Sequence, residues 1–173
     1  NNRNLDHRTV AISEGTKTFL DKINLWEDIN KYAQPIKKIK IIDRKPSVFL
    51  QFDNVRRKSN LGYIVKNKHL LNIVYKKLKT HKKIQIFNKA KIINFENNND
   101  AIKINLTNVS IVSNLNIAAD GKNSFVKQYY KTPHFIKHYK KAACVVTFTH
   151  LLDHNNTAYE FFYKNGPLAI LPM

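Results

Sequence analysis

The 173 residues of this chain are enough for one domain or one and a half, and 43% of them are hydrophobic, which is sufficient for a buried core. No apolar run reaches the roughly 20 residues that a membrane-spanning helix requires, and the polar first residues lack the apolar region of a signal peptide. The single cysteine, Cys144, excludes an intramolecular disulfide framework. Because it lies in the apolar run 142–146, we expect a buried, unreactive thiol and a reducing, cytoplasmic location.

The formal net charge of +18 suggests a polyanionic partner, either nucleic acid or an acidic membrane surface. Lysine supplies 25 of the 30 basic residues and is scattered among 22 asparagines and 19 isoleucines, as expected from an AT-rich coding sequence. A nucleic-acid-binding protein more often concentrates arginine on one face. A basic nucleic-acid-binding module is therefore the minor alternative, and we expect no nucleic-acid partner. Peripheral contact with the inner membrane face is compatible with the charge.

Three helices are predicted in the first half of the chain. Ser13 is a suitable N-cap for a helix that runs to about Ile23. A short helix around Trp26, expected in the core, ends before Pro35. Leu70, Val74 and Leu78 repeat every four residues and predict an amphipathic helix over about 67–79.

Short alternating apolar runs predict strands in the rest of the chain. They lie at 36–42, 48–52, 84–87, 90–95, 101–106, 109–117, 139–148, 158–163 and 168–171. The class is therefore mixed α and β. Two sheet systems are expected, one near 84–121 and one that combines 36–52 with 139–172.

The segment 116–124 is the most informative short motif. An apolar strand ends in small residues, then Asp120 and Gly121, and Ser124 is positioned to cap a helix that starts near Phe125. Small residues let the backbone approach a dinucleotide, the acid can accept hydrogen bonds from ribose hydroxyls, and a helix N-terminus favours phosphate. The alternative is an ordinary Asp-Gly turn. If segment 116–124 is considered alone, this turn is the simpler interpretation.

Several further motifs occur in a fixed order along the whole chain. The motifs are Asp6-x-Arg8-Thr9-Val10-Ala11-Ile12-Ser13, Leu25-Trp26, Ala33-x-Pro35-Ile36, Asp43-Arg44, Leu61-Gly62-Tyr63-Ile64-Val65 with Asn67 and Leu70, Ala118-Ala119-Asp120-Gly121, Ala158-Tyr159-Glu160 and Gly166-Pro167-Leu168-Ala169-Ile170-Leu171-Pro172. Together they closely resemble the ubiquinone-biosynthesis 2-polyprenylphenol hydroxylases, a branch of the class A FAD-dependent aromatic monooxygenases.

The resemblance implies an α/β fold with a partial Rossmann-like FAD-binding domain (1–35 and 53–138) and a partial substrate-binding β-sheet domain (36–52 and 139–173). It implies that Arg8, Asp120 and Gly121 bind the FAD cofactor. Lys68 stands where the family usually has an arginine that reaches the cofactor. Lysine keeps the positive charge but lacks the planar guanidinium group, which can donate two parallel hydrogen bonds. Arg8 and the Asp120–Gly121 corner should converge on one nucleotide-shaped groove.

By the same resemblance, the reaction is hydroxylation of a polyprenylated phenol with NAD(P)H and O2. The cofactor carries the chemistry, so no catalytic acid or base is assigned. The four glycines, at 15, 62, 121 and 166, cannot form the family's G-x-G-x-x-G turn. We therefore expect a central fragment, without that turn and the later Gly-Asp segment. One possibility is an oxidoreductase subunit that works only with a complementary chain or within a ubiquinone-biosynthesis complex. The other possibility is an inactive remnant.

Two other candidate sites are weaker. His134 and His138, like His150 and His154, are four residues apart, but no third ligand is evident and no metal site is expected. The basic, aromatic stretch 129–141 is a mild match to a single-strand-binding surface, and a solvated loop is the preferred interpretation.

Overall fold

The computed structural model describes residues 8–44, 47–54, 59–98 and 100–173. Asp6 of the first motif lies outside this range, as does Asn99 of an asparagine-rich turn. The elements in chain order are β1 (Thr9–Ser13), α1 (Glu14–Lys22), α2 (Trp26–Asn30), β2 (Gln34–Ile36), β3 (Lys38–Arg44), β4 (Ser47–Asp53), β5 (Gly62–Lys66), α3 (Asn67–Thr80), β6 (Ile92–Asn97), β7 (Ile102–Leu106), β8 (Ser110–Ser113), α4 (Phe125–Tyr129), β9 (Thr157–Tyr163) and β10 (Gly166–Ile170). The mixed α and β class is confirmed.

The chain divides into two compact units, one made of Asn1–Ile84 with Cys144–Met173 and one made of Gln85–Ala143. The first unit contains a three-stranded antiparallel sheet in the order β1-β5-β2. Its central strand β5 is buried from Gly62 to Val65, because side chains cover both faces. At Gly62 an added Cβ would lie 2.9 Å from the carbonyl oxygen of Ile12, so the close approach of β1 and β5 requires glycine.

The main core lies on one face of this sheet, under the two predicted N-terminal helices. Ser13 Oγ accepts a hydrogen bond from the Thr16 N–H at 3.2 Å and caps α1, as expected from the sequence. Trp26 is 6% exposed, and its ring meets that of Tyr63 edge to face at 4.6 Å. The buried residues of this cluster are Ile12, Leu20, Leu25, Trp26, Ile29, Tyr63 and Val65.

The predicted stripe of α3 packs on this core only in part. Leu70 and Val74 lie against the core as partly buried side chains, and so does Ile73. Leu71 is 44% exposed. The helix is therefore attached along one edge of its apolar face.

A second sheet of the first unit joins distant parts of the sequence, in the order β10-β9-β3-β4. Strands β3 and β9 are parallel and the other neighbours are antiparallel. The expectation that 36–52 shares a sheet with the C-terminal region is confirmed. Ile64 of β5, Ile36 of β2 and Ala158 of β9 form a small buried cluster that links the two sheets.

The second unit is built on an antiparallel sheet in the order β6-β7-β8, as predicted for 84–121. The short helix α4 contributes aromatic rings that meet Phe95 of β6. Tyr129 lies edge to face with Phe95 at 4.9 Å, and its hydroxyl accepts a hydrogen bond from the Phe95 N–H.

Three predicted strand segments are wrong: 84–87, 114–117 and 139–148 have no strand structure. A strand requires a partner for its backbone hydrogen bonds. Residues 114–119 make no backbone–backbone hydrogen bond to any residue that the structure describes. Leu115 and Ile117 in this segment are 73% and 80% exposed.

The expected burial of Cys144 is also wrong, because its thiol is exposed. Val145 and Val146 beside it are 77% and 71% exposed, so nothing in the described part of the chain covers this apolar run. Within the same described ranges, no helix has the length and apolar character needed to cross a bilayer.

Candidate functional site

Arg8 and Lys68, far apart in the sequence, are brought together at one end of the first sheet. Arg8 precedes β1, and its carbonyl oxygen accepts a hydrogen bond from the Asn67 N–H at 2.9 Å. Thr9 pairs with Lys66, the last residue of β5, so α3 begins beside Arg8. Arg8, Lys66, Lys68 and His69 form a group that we call the cationic corner.

The N-terminus of α3 adds to the positive field of this corner. The helix has 14 residues, its N-cap Lys66 makes no side-chain capping hydrogen bond, and its first turn has no acidic residue. Helix N-termini carry a partial positive charge and N–H groups that bind anions. The cationic corner is therefore suited to a phosphate-bearing ligand.

His69 was not identified from the sequence, because only packing brings its ring against Tyr32. The two rings stack at 4.2 Å with an interplanar angle of 9°. The pKa of His69 is lowered, first by burial and then by the charges of Lys68 and Lys66. The charges of Lys66 and Lys68 disfavour the protonated form of His69, which indicates that the corner is electropositive.

The lowered pKa of His69 predicts a loss of stability in mild acid. As the pH falls below the ordinary value of 6.5, the unfolded chain takes up a proton before the folded chain does, so the free energy of unfolding decreases until the folded-state pKa is passed. His69→Phe keeps a stacking ring without a titrating group. We expect a smaller decrease between pH 7.5 and 5.5 in urea unfolding, with His138→Phe as the matched control. An unchanged pH dependence in His69→Phe would contradict this role.

The Asp120–Gly121 element is a capped turn in the second unit. Asp120 Oδ2 accepts hydrogen bonds from the N–H groups of Phe125 at 2.7 Å and Val126 at 3.3 Å. Ser124 Oγ accepts a hydrogen bond from the Lys127 N–H at 3.0 Å, as expected of an N-cap. The start of α4 is thus satisfied by its own chain, which argues against the predicted phosphate site there.

Gly121 provides the conformation and the space that this turn needs. Its φ of +83° lies in the left-handed region that favours glycine, and an added Cβ would meet nothing within 4 Å. The open space leaves the backbone accessible to a ligand.

The hydrogen bonds of Asp120 should be visible in its titration. Its pKa is lowered, first by the hydrogen bond with the Ser124 side chain and then by the N–H groups of Val126 and Phe125. The cap is therefore intact above the ordinary pKa and is lost as the pH falls through the folded-state value. We expect the amide proton shifts of Phe125 and Val126 to titrate together below pH 3.8. Asp120→Asn should abolish that titration; a midpoint above the ordinary value would disprove the capping role.

The second unit contains a cavity of about 410 Å³, and residues 116–118, just before the Asp120–Gly121 element, form part of its lining. Asn116 is the notable polar residue of its mostly apolar lining, because its Nδ2 is buried without a partner among the described residues. Its Oδ1 accepts a hydrogen bond from Ser113 Oγ at 2.8 Å. The lining residues are Ile92, Phe95, Asn97, Ile102, Ile104, Asn116, Ile117, Ala118, Val126 and Tyr130. No sequence pattern indicated this cavity, because it forms between elements that are separate in the chain.

The structure brings Arg8 and Lys68 together in the first unit and places Asp120 and Gly121 in the second unit. Their convergence on one groove stays a prediction. The described ranges contain no group of three side chains that could hold a metal ion.

The chain is similar to curated proteins of ubiquinone biosynthesis. The chain is 28% identical over 169 residues to ubiquinone hydroxylase UbiL of Rhodospirillum rubrum, which covers 97% of this chain and 39% of the relative. It is 28% identical over 181 residues to the mitochondrial ubiquinone biosynthesis monooxygenase COQ6 of Danio rerio, with 96% and 37% covered. The predicted resemblance is confirmed, and the chain spans less than half the length of these relatives. No protein-family model matches.

The fold is also shared with a solved flavoprotein. The structure of Klebsiella pneumoniae R204Q HpxO complexed with FAD aligns with a TM-score of 0.63 at 13% identity. The alignment covers 95% of this chain and 44% of that chain. At this identity the likeness establishes the fold alone.

Proposed function

We propose that this chain, which resembles ubiquinone-biosynthesis monooxygenases over nearly its whole length, is the central segment of an FAD-dependent monooxygenase that hydroxylates a polyprenylated phenol. The similarity to UbiL and COQ6 over 96–97% of the chain is the observation that carries the proposal. The cationic corner supports it, because FAD carries a pyrophosphate.

Each unit contributes residues that suit one part of a dinucleotide. Arg8 and Lys68 supply positive charge beside the N-terminus of α3, and Gly121 leaves the backbone open to approach. We assign Arg8 and Lys68 to the phosphates. The Asp120 carboxylate can accept more hydrogen bonds than its capping bonds use, and we assign this remaining capacity to a ribose hydroxyl. When bound, FAD would supply the redox chemistry, with NAD(P)H as reductant and O2 as oxidant. The segments 1–35 and 53–138 would form the cofactor-binding part.

The sheet β10-β9-β3-β4 is proposed to cover the substrate, within the substrate-binding part 36–52 and 139–173. Tyr159, Phe161 and Tyr163 of β9 lie in a row on one face, with ring centroids 6.1 and 6.2 Å apart. Lys40 Nζ lies 5.7 Å from the centroid of the Tyr159 ring. Aromatic side chains of this kind bury apolar surface and orient rings. Their role would be to exclude water and hold a phenol ring.

We propose that a complementary polypeptide completes the flavin site. Segment 114–118 exposes Leu115 and Ile117 and pairs with no other segment that the structure describes, which favours this possibility over an inactive remnant. Unpaired strand-like segments are sites for added strands. The complementary polypeptide would be a second chain or a member of a ubiquinone-biosynthesis complex. Peripheral contact with the inner membrane face is compatible with a prenylated substrate.

Reconstitution tests this function. The chain would be purified alone and together with a polypeptide that covers the parts of UbiL outside the matched region, and each sample would be assayed for retained FAD and for NAD(P)H oxidation dependent on a polyprenylphenol. We expect FAD retention and turnover only with both polypeptides present. Formation of a stable complex that retains no flavin would overturn the proposal.

A further inference from the structure

The three sheets have six edge strands among the residues that the structure describes, and four of these are protected against pairing with a further strand. Edge strands carry unpaired backbone groups, and a proline, a bulge or a very short length limits their pairing. Strand β2 contains Pro35 and β10 contains Pro167. Strand β6 has a register shift between Ile92 and Asn94, and β8 has only four residues. The two open edges are therefore β1 and β4.

Of these two edges, β4 is the longer and exposes more apolar surface. It has seven residues, without proline or lysine, whereas β1 has five and exposes no large apolar side chain. In β4, Phe49 is 56% exposed, Leu50 48% and Phe52 49%. Because successive side chains of a strand point to opposite faces, Phe49 is exposed on one face of the sheet and Leu50 and Phe52 on the other. Strand β4 is thus an edge to which a further strand can be added with apolar contacts on both faces.

We propose that β4 pairs with β4 of a second copy of this chain, antiparallel and about a twofold axis at Leu50. Side chains of facing residues point to the same face of a sheet, so a twofold pair is centred on a residue and not between two residues. Leu50 is the middle residue of β4, and an axis there pairs the whole strand. The two four-stranded sheets would join into one sheet of eight strands.

The sequence of β4 is complementary to itself in this register. Leu50 faces Leu50 of the other copy, and the remaining facing pairs are Phe49 with Gln51, Phe52 with Val48 and Asp53 with Ser47. No two charges of the same sign face each other, whereas like charges in facing positions would destabilise a strand pair. The contact uses the same surface on both copies and closes at two, as is typical of homodimers. This self-complementarity favours a second copy over an unrelated strand.

The dimer should be weak and should become tighter as salt is added. Two strands of seven residues bury less than the roughly 1,200 Å² of a standard interface. Each copy also carries a net charge of +18, so the two copies repel each other until salt screens the repulsion. We expect a dissociation constant on the order of 10–100 µM, which falls between about 0.05 and 0.5 M NaCl. Sedimentation velocity of the purified chain over a range of concentrations, without FAD, is the measurement.

A charge at the axis tests the position of the contact. Leu50→Lys would place two lysines opposite each other and should weaken the dimer at least about tenfold. Leu168→Lys is the matched control, because Leu168 lies in the other edge strand of the same sheet and is also 48% exposed. It has the same net charge as Leu50→Lys but leaves β4 intact, so its dissociation constant should stay within about twofold of the parent chain. Circular dichroism would show that both variants fold.

A disulfide at the axis tests the register. Cys144→Ser removes the native exposed thiol, and Leu50→Cys in this background would bring two thiols together. The Cα atoms of facing residues are about 4.5–5.5 Å apart, within the range of about 4.4–6.8 Å that a disulfide needs. Diamide would oxidise the two thiols to one disulfide and take up their two hydrogen atoms. We expect a covalent dimer, and crosslinking of Leu168→Cys in the same background that is at least about tenfold slower.

Several results would overturn the proposal: a monomer at every concentration, equal effects of the Leu50 and Leu168 substitutions, or weaker association at higher salt. The complementary polypeptide of the proposed function is the other candidate to pair with β4. We expect two copies of each polypeptide in the reconstituted complex. A complex with one copy of each would assign the β4 edge to the complementary polypeptide and overturn the self-pairing. The dimer requires neither flavin nor substrate, so failure of the hydroxylase function leaves the sedimentation and crosslinking results unaffected.

Discussion

Arg8→Gln is expected to weaken FAD binding about ten- to a hundredfold, since hydrogen bonds to charged groups contribute roughly 1.5–3 kcal/mol. Arg8 lies beside the first turn of α3, where Lys66 and Lys68 already raise the local potential. Glutamine keeps much of the side-chain length but removes the charge. The measurement is an FAD titration of the reconstituted complex by quenching of flavin fluorescence. Circular dichroism would show that the variant still folds.

Two lysines of α3 provide a matched control for this prediction. Lys68 lies in the first turn and Lys77 in the last turn of the same helix. Lys68→Gln should weaken FAD binding about tenfold, whereas Lys77→Gln should leave it unchanged. Equal effects of the two variants would show that the binding responds to net charge and that the cationic corner is not the phosphate site.

Trp26→Ala should have the largest effect on stability, about 3–5 kcal/mol in the free energy of unfolding. Trp26 is 6% exposed in the main core and meets Tyr63 edge to face. Alanine leaves a cavity that the neighbouring strand and helices cannot fill. Because small domains are stable by only about 5–15 kcal/mol, this change would remove a large fraction of the free energy of unfolding. Urea unfolding followed by circular dichroism is the measurement, since the variant has no tryptophan.

Loss of the main core in Trp26→Ala should also disturb the cationic corner. Val65 of the same core directly precedes Lys66, so loss of the core removes the support of the corner. Phe19→Ala is the control, because Phe19 is 59% exposed and should change the free energy of unfolding by less than about 0.5 kcal/mol. A similar cost for both variants would show that the main core is not where the structure places it.

Local chemistry made a large part of the fold predictable. The Ser13 cap, the α3 periodicity and the Ser124 cap depend on residues within a few positions of each other, and each helix begins where the sequence predicted. The joining of 36–52 to the C-terminal strands was predicted as well, from the alternating apolar pattern, and the family resemblance implied the same grouping. The candidate residues Arg8 and Lys68 came from the family resemblance, whereas the local motif 116–124 had already singled out Asp120 and Gly121.

The sequence by itself determined the class of the fold, the starts of the helices and the resemblance to ubiquinone-biosynthesis hydroxylases, because caps, periodicity and motif order are properties of the local sequence. Only the tertiary structure decided which apolar runs become strands and which residues are buried. Segments 114–117 and 139–148 alternate like strands but find no partner among the described residues, and Cys144 is exposed for the same reason. Strand pairing and burial depend on what lies opposite a segment in space, and the stacking of His69 on Tyr32 likewise follows from packing between elements.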